Sequence, residues 1–247
     1  MARTEFASVQ KLLREGGTAL LSLLFPAHCG ACGCRLGDDE AAGLLCPDCQ
    51  PKIIPMPEHL CRVCSHPMVG LFQCPNCEDR HWHLSVITAA CRHEGLVREL
   101  IHRFKYGRDQ SLVRLLGRLL RVALDDSRIH GKRFHGIVPV PLHPLRERER
   151  GFNQSALLAS RLGKHLNLPV LPLLKRSRIT APQARFDRHQ RMENLEGAFI
   201  LRGVIPAEAT LLLVDDVTTT GATFDTCAAV LKKAGAREVC AVSVARG

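Results

Sequence analysis

An α/β protein, with a parallel sheet covered by helices on both faces behind a small cysteine-rich domain, is predicted by three features of the sequence. Beyond Trp82, short apolar runs alternate with stretches of helical periodicity. One of those runs, "LLLVDD" at 211–216, is apolar without alternation and ends in two adjacent aspartates, as a strand buried on both faces would. Ahead of residue 78, eight of the 12 cysteines fall into four Cys-x-x-Cys pairs, a spacing that belongs to metal sites. The expected division is 1–84 for an N-terminal helix and the cysteine pairs, and 85–247 for the sheet domain.

Residues 8–25 read as an amphipathic helix. Its apolar end, "ALLSLLF" (19–25), is far shorter than the roughly 20 residues needed to cross a bilayer. Glu5 and Glu15 and the lack of a small-x-small site after it argue against a secretory signal, so the cytoplasm is the expected location.

The pairs are Cys29/Cys32, Cys46/Cys49, Cys61/Cys64 and Cys74/Cys77. Each Cys-x-x-Cys turn aims two thiolates at one point, and two turns make the four-sulfur tetrahedron that zinc prefers. Pairing in sequence order gives two successive zinc ribbons and two zinc ions. Four sulfurs close the coordination sphere, which makes both sites structural. Disulfides are the competing reading, and paired spacing with a cytoplasmic location favours metal. Cys34 is a substitute ligand at most. Cys91, Cys227 and Cys240 sit in apolar patterns and read as core. His28, His81 and His83 stand near the pairs but are expected at the surface, because the thiolates already complete both sites.

In the second part, strands are expected at 85–91, 136–141, 210–216 and 238–245, and helices at 94–104, 111–124, 155–166 and 224–234. Charge is unevenly spread. Lys and Arg outnumber Asp and Glu by 34 to 24, and 132–191 alone holds 13 basic residues against 3 acidic ones. Such a field attracts polyanions, either pyrophosphate-bearing small molecules or nucleic acid.

Two strand-to-helix junctions carry chemistry. At the first, Asp215 and Asp216 stand at a strand end, able to accept hydrogen bonds from a sugar diol. The small, hydroxylated run Thr218, Thr219, Thr220, Gly221, Ala222, Thr223 then opens a helix whose N–H groups and dipole favour a phosphate. The bland alternative is a helix cap made by Thr223 or Asp225. At the second, "VPVPLHPLRERERGFNQS", the alternating Arg146, Arg148 and Arg150 offer a site for another anionic group. Residues 186–199 are a candidate flap over the site, with Gln183, Arg191 and Asn194 as its candidate contacts, and a basic solvated helix is the competing reading.

"VDDVTTTGAT" resembles the phosphoribosyl pyrophosphate signature of type I phosphoribosyltransferases. "PVPLHPLRERERGFNQS", "RITAPQARFDRHQRMENLEGAF" and the cysteine pairs resemble the ComF family of competence and DNA-utilisation proteins, over nearly the whole chain. The resemblance implies a double zinc ribbon ahead of a type I phosphoribosyltransferase fold. It also implies that Asp215 and Asp216 contact ribose hydroxyls, that the run through Thr223 holds the 5′-phosphate, and that the loop after Pro141 meets pyrophosphate, with magnesium bound alongside.

Three functions follow as expectations. The first is a cytoplasmic protein that binds phosphoribosyl pyrophosphate with magnesium and supports uptake or use of single-stranded DNA, working with a protein of the DNA-uptake machinery. The second is a phosphoribosyltransferase of nucleotide salvage. The third is a ligand-sensing adaptor without catalysis. In purine-salvage relatives an acidic residue of the loop is proposed as general base. Here Thr218, Thr219 and Thr220 take its place, and no base is evident.

Overall fold

A computed structural model describes residues 27–37, 44–70, 72–78, 80–178 and 197–247. The expected helix at 8–25, and Gln183, Arg191 and Asn194 of the expected flap, lie outside the described residues. The chain divides into two compact units, Met1–Lys52 and Ile53–Gly247, so the second cysteine set shares a unit with the sheet.

In the larger unit, β1 (Val86–Arg92), β2 (Gly136–Pro139), β5 (Thr210–Thr218) and β6 (Glu238–Arg246) form a four-stranded, all-parallel sheet in the order β1-β6-β5-β2. Among the described residues its helices are α1 (Gly95–Tyr106), α2 (Val113–Val122), α3 (Pro144–Arg150), α4 (Gln154–Leu166) and α5 (Ala222–Lys233). β3 (Leu174–Arg176) and β4 (Phe199–Leu201) make a separate antiparallel pair.

Leu211 to Val214 have no exposed surface, so both faces of β5 are covered. On one face, Val138, Leu211, Leu213 and Ala241 share a core with Phe224, Cys227, Ala228 and Leu231 of α5. On the other face α4 packs on β5 and β2, and α2 packs on β1 and β6. This is the expected helix-sheet-helix layering. The continuous apolar run of β5 is what a strand between two helical layers requires.

Neither edge of the sheet is bare, which removes a template for strand addition. Ile87 N–H donates to the Val63 carbonyl at 2.7 Å and Arg92 N–H to that of Ile54 at 2.9 Å, closing the β1 edge. At the β2 edge, Ile137 N–H donates to Pro169 O at 2.9 Å and Leu171 N–H to Ile137 O at 2.8 Å.

Two features depart from the sequence reading. The stretch after Pro141, expected as a loop, contains α3: His143 caps it, Pro144 fills its first turn, and Gly151 ends it at φ +87°. The β3–β4 pair was not expected, since each strand is only three residues long. Among the described residues, no helix is long and apolar enough to cross a membrane.

Candidate functional site

β5 lies between β6 and β2, and its carboxyl end brings Asp215 and Asp216 to the centre of the sheet edge where α/β proteins bind ligands. The two carboxylates have different environments. Asp215 Oδ1 accepts from Ser155 Oγ at 2.6 Å, in the first turn of α4, and from the Asp216 N–H at 2.9 Å. Burial, with the neighbouring Asp216 charge, pushes Asp215 up to about 7. Asp216 is 2% exposed, and Lys105 Nζ lies 2.6 Å from its Oδ2. Burial also disfavours its charge, but the Lys105 ammonium outweighs that and holds it below the usual carboxylate range. Reciprocally, the Asp216 charge outweighs burial and raises Lys105. A half-buried ammonium thus keeps one aspartate ionised while its neighbour is pushed up to about 7.

Past the acidic pair, the loop 218–221 turns into α5 through Gly221 at φ +76°. A Cβ there would lie 2.6 Å from Ile87 Cδ1 and 2.9 Å from the Trp82 ring, so both the turn and the packing demand glycine. Thr220 Oγ1 accepts from the Ala222 N–H at 3.3 Å. Asp225, offered above as a cap, instead turns its carboxylate to the His83 N–H at 2.7 Å and to Arg80 Nη2 at 3.5 Å.

The second cysteine set reaches this loop directly. Asn76, between Cys74 and Cys77, donates through Nδ2 to the Thr220 carbonyl at 3.1 Å. Arg80 Nη1 donates to the same oxygen at 3.0 Å, while its guanidinium lies 3.5 Å over the Trp82 ring. The loop 218–221 is therefore fastened from behind by Asn76 and Arg80.

The three arginines of α3 are not equivalent. Arg146 and Arg148 are exposed, and Arg146 pairs with Glu149 at 3.2 Å. Arg150 donates to Gln154 Oε1, stands 5.4 Å from the Tyr106 ring centre, and helps hold Asp216 ionised. Asn153 fixes the start of α4: its Oδ1 accepts from Ser155 N–H at 2.9 Å and its Nδ2 donates to Val140 O at 3.1 Å. Arg176, on β3, is depressed by burial and feels the Asp215 charge. Lys105 and Arg176 were missed in the sequence because each reaches the site from an element without a motif, and Ser155, which closes the "GFNQS" stretch, was given no role there.

The cysteines group as their spacing predicts: Cys29, Cys32, Cys46 and Cys49 in one set, Cys61, Cys64, Cys74 and Cys77 in the other, with all sulfurs of a set within 4.8 Å of one another. Sulfur separations of 3.7 Å (Cys32–Cys46) and 3.6 Å (Cys61–Cys77, Cys64–Cys74) match the roughly 3.8 Å edge of a tetrahedron with 2.3 Å zinc–sulfur bonds, and exclude disulfides. Burial raises Cys29 and Cys61, but backbone N–H donors overcome it and bring them down to about 6 and about 7, so a thiolate is available in each set. The Arg246 guanidinium, 5% exposed, feels all four thiols of the second set and counters its negative charge. Both sets fit a structural zinc ion. Cys34, His28, His81 and His83 belong to neither set, and Cys91, Cys227 and Cys240 are buried in the core.

Among known families, the double zinc ribbon domain matches residues 20–79. Competence protein F of Haemophilus influenzae is 33% identical over 222 residues, covering 86% of this chain and 95% of that protein. DNA utilization protein YhgH of Escherichia coli is 36% identical over 148 residues, 57% of this chain and 63% of its own length. Competence protein ComFC of Bacillus subtilis is 26% identical over 197 residues, 77% of this chain and 79% of its own. Adenine phosphoribosyltransferase from Saccharomyces cerevisiae, solved with adenine, superimposes with a TM-score of 0.34 at 15% identity over 55% of this chain and 66% of that one, too loose a likeness to argue from. With the two cysteine sets, the double zinc ribbon match and a near full-length relative all in agreement, the chain belongs to the ComF family of competence and DNA-utilisation proteins.

Proposed function

We propose that the protein binds phosphoribosyl pyrophosphate with magnesium at the carboxyl end of β5 and supports the handling of single-stranded DNA. The carrying observation is the paired, unequal aspartates: Asp216 held ionised by Lys105, Asp215 held by Ser155, both at the lip of a glycine-hinged threonine loop. Two adjacent carboxylates are suited to a vicinal diol, and the first turn of α5 is suited to the 5′-phosphate beside it. Arg150 and Lys105 supply the cations that a pyrophosphate requires at the other side. Magnesium would neutralise the pyrophosphate oxygens, with Asp215 and Asp216 the nearest carboxylates to help hold it.

In this reading Lys105 has two functions. Without ligand it neutralises a buried charge that would otherwise be costly, and with ligand it remains close to the incoming phosphates. Ser155 and Asn153 fix the Asp215 carboxylate through α4, so the diol meets an oriented acceptor. The DNA role rests on the names of the relatives and on the basic excess. The location proposed is the cytoplasm, and a DNA-uptake protein is the proposed partner.

A second reading, a phosphoribosyltransferase of nucleotide salvage, is favoured by one observation: Asp215, pushed up to about 7, can exchange a proton near neutral pH.

Thermal unfolding with phosphoribosyl pyrophosphate and magnesium tests the binding reading, since a ligand of the native state raises the midpoint by mass action. Asp215→Asn/Asp216→Asn should abolish the rise, and an undiminished rise would place the ligand elsewhere. Pyrophosphate release with a panel of bases then separates transfer from binding.

A further inference from the structure

α2 (VRLLGRLLRV) and α4 (QSALLASRLGKHL) contain no acidic residue between them. They pack side by side, with Leu116 and Leu120 of α2 and Leu158 and Leu162 of α4 buried. Their outer faces carry Arg114, Arg118 and Arg121 on one helix and Arg161 and Lys164 on the other, all exposed. The helices can approach because Gly117 has no side chain: a Cβ there would lie 2.8 Å from Arg161 Cγ. The result is a cationic track with no counter-charge of its own.

The track leads into a cavity of about 640 Å³ between the end of α2, the connection into β2 and the end of α4. Its apolar wall is made by Leu124, Ile129, Phe134, Leu166 and Leu168, and its charged wall by Arg118, Arg121, Lys132 and Arg133, with Asp125 the one acid among the lining residues. Lys132 is engaged with Glu238 at 2.6 Å. Among the described residues, Arg118, Arg121 and Arg133 make no ion pair. Val122, at the rim, is 53% exposed.

This is not the sugar-phosphate site. α4 starts with Ser155 against Asp215 and ends at Leu166 in the cavity wall, and 11 residues of helix place the two ends about 16 Å apart. The cavity opens at the amino end of β2, whereas the acidic pair sits at the carboxyl end of the adjacent β5.

We infer that the track and cavity form a nucleotide-unit site for single-stranded nucleic acid, with backbone phosphates on the α2–α4 arginines and a base in the apolar part of the cavity. An apolar pocket walled by unpaired guanidiniums fits a flat apolar body joined to an anion, and a row of cations leading into it fits a repeated phosphate. The volume lies within the range of small-molecule sites. α3 is the weaker candidate, because Glu147 and Glu149 alternate with its arginines and Arg146 already pairs with Glu149. This inference rests on the DNA-handling reading above and gives it a location.

The test is fluorescence anisotropy of a labelled thymidine 20-mer with the full chain across a salt series. The variants are Arg118→Gln/Arg121→Gln/Arg133→Gln, Arg146→Gln/Arg148→Gln, and Val122→Glu, which adds a negative charge at the exposed rim. Losing three phosphate contacts should weaken binding roughly 10- to 100-fold at 0.1 M salt and flatten the salt slope by about 2. Val122→Glu should also weaken it, while the α3 variant stays near wild type in strand binding and the triple and Val122→Glu variants keep their phosphoribosyl pyrophosphate shift. Competition by thymidine monophosphate, lost in the triple variant, would show that a free nucleotide enters the same cavity. Wild-type binding that survives the triple variant, or falls only in the α3 variant, would overturn this site and leave the DNA reading standing. No wild-type binding at low salt would overturn both.

Discussion

Replacing Arg80 by methionine should loosen the loop 218–221 without altering any residue of the proposed ligand site. The Arg80 side chain is 2% exposed and its one cation serves, among its partners, the Thr220 carbonyl at 3.0 Å, Asp225 at 3.5 Å and the Trp82 ring at 3.5 Å. A hydrogen bond from a charged donor contributes about 1.5–3 kcal/mol, and stranding one partner of a buried ion pair costs about 3–5 kcal/mol. These figures overlap, because a single guanidinium makes all three contacts. Asp225 also keeps the His83 N–H at 2.7 Å, which favours the low end, about 3 kcal/mol. For a unit of this size that is a fall in melting temperature of about 6–12 °C. Adding Asp225→Asn removes the stranded charge and should restore part of the loss. Differential scanning calorimetry measures both, and amide exchange should show the change around residues 218–223. A fall below about 2 °C for Arg80→Met, or no recovery in the double variant, would mean that the segment 76–83 does not fasten the loop.

Other outcomes follow from the same structure. Elemental analysis should find about two zinc ions per chain, and Cys61→Ser should remove one and destabilise the larger unit, while Cys29→Ser removes one with little effect on the melting of that unit. Asp215 is raised to about 7 from an ordinary 3.8, so its ionisation opposes folding. This destabilisation is absent at low pH, grows as pH rises from the ordinary value toward 7, and is constant above; Asp215→Asn should remove up to about 1.4 kcal/mol per pH unit in that window, read from urea midpoints at pH 5.5 and 8. Asp216, shifted down by Lys105, has the opposite sign: its contribution is present above the usual carboxylate range and is lost on acidification. Lys105→Met should strand that charge, lowering stability at pH 8 by about 3 kcal/mol and relatively less at pH 4.

The elements with strong local signals were legible in the sequence. The strand expected at 238–245 is β6 (Glu238–Arg246), and the helix expected at 155–166 is α4 (Gln154–Leu166), because an unbroken apolar run and a 3.6-residue period are set by the layers on either side of them. The cysteine sets were legible for a related reason: a Cys-x-x-Cys turn is a local geometry, and only the pairing of turns had to be supplied. The acidic strand end was visible as a motif. Its electrostatics were not, since Lys105 arrives from the end of α1, 111 positions before the aspartate it neutralises.

Sequence windows and the fold group the basic residues differently. Counting by windows placed the basic excess at 132–191 and treated the remainder as neutral, which drew attention to the arginines of α3. In the fold, those arginines share a short helix with Glu147 and Glu149, whereas Arg114, Arg118 and Arg121, outside the window, line up at helical spacing beside Arg161 and Lys164. A polyanion responds to the spacing of charges over a few ångströms, within one screening length, and not to their sum along the chain. The acids that balance the α2 arginines in a sequence count lie on other elements. Neutralising Arg114, Arg118 and Arg121 together should therefore flatten the salt dependence of strand binding by about 2, although all three lie outside the basic window. An equal flattening on neutralising Arg146, Arg148 and Arg150 would show that the window, and not the three-dimensional track, describes the field that DNA meets.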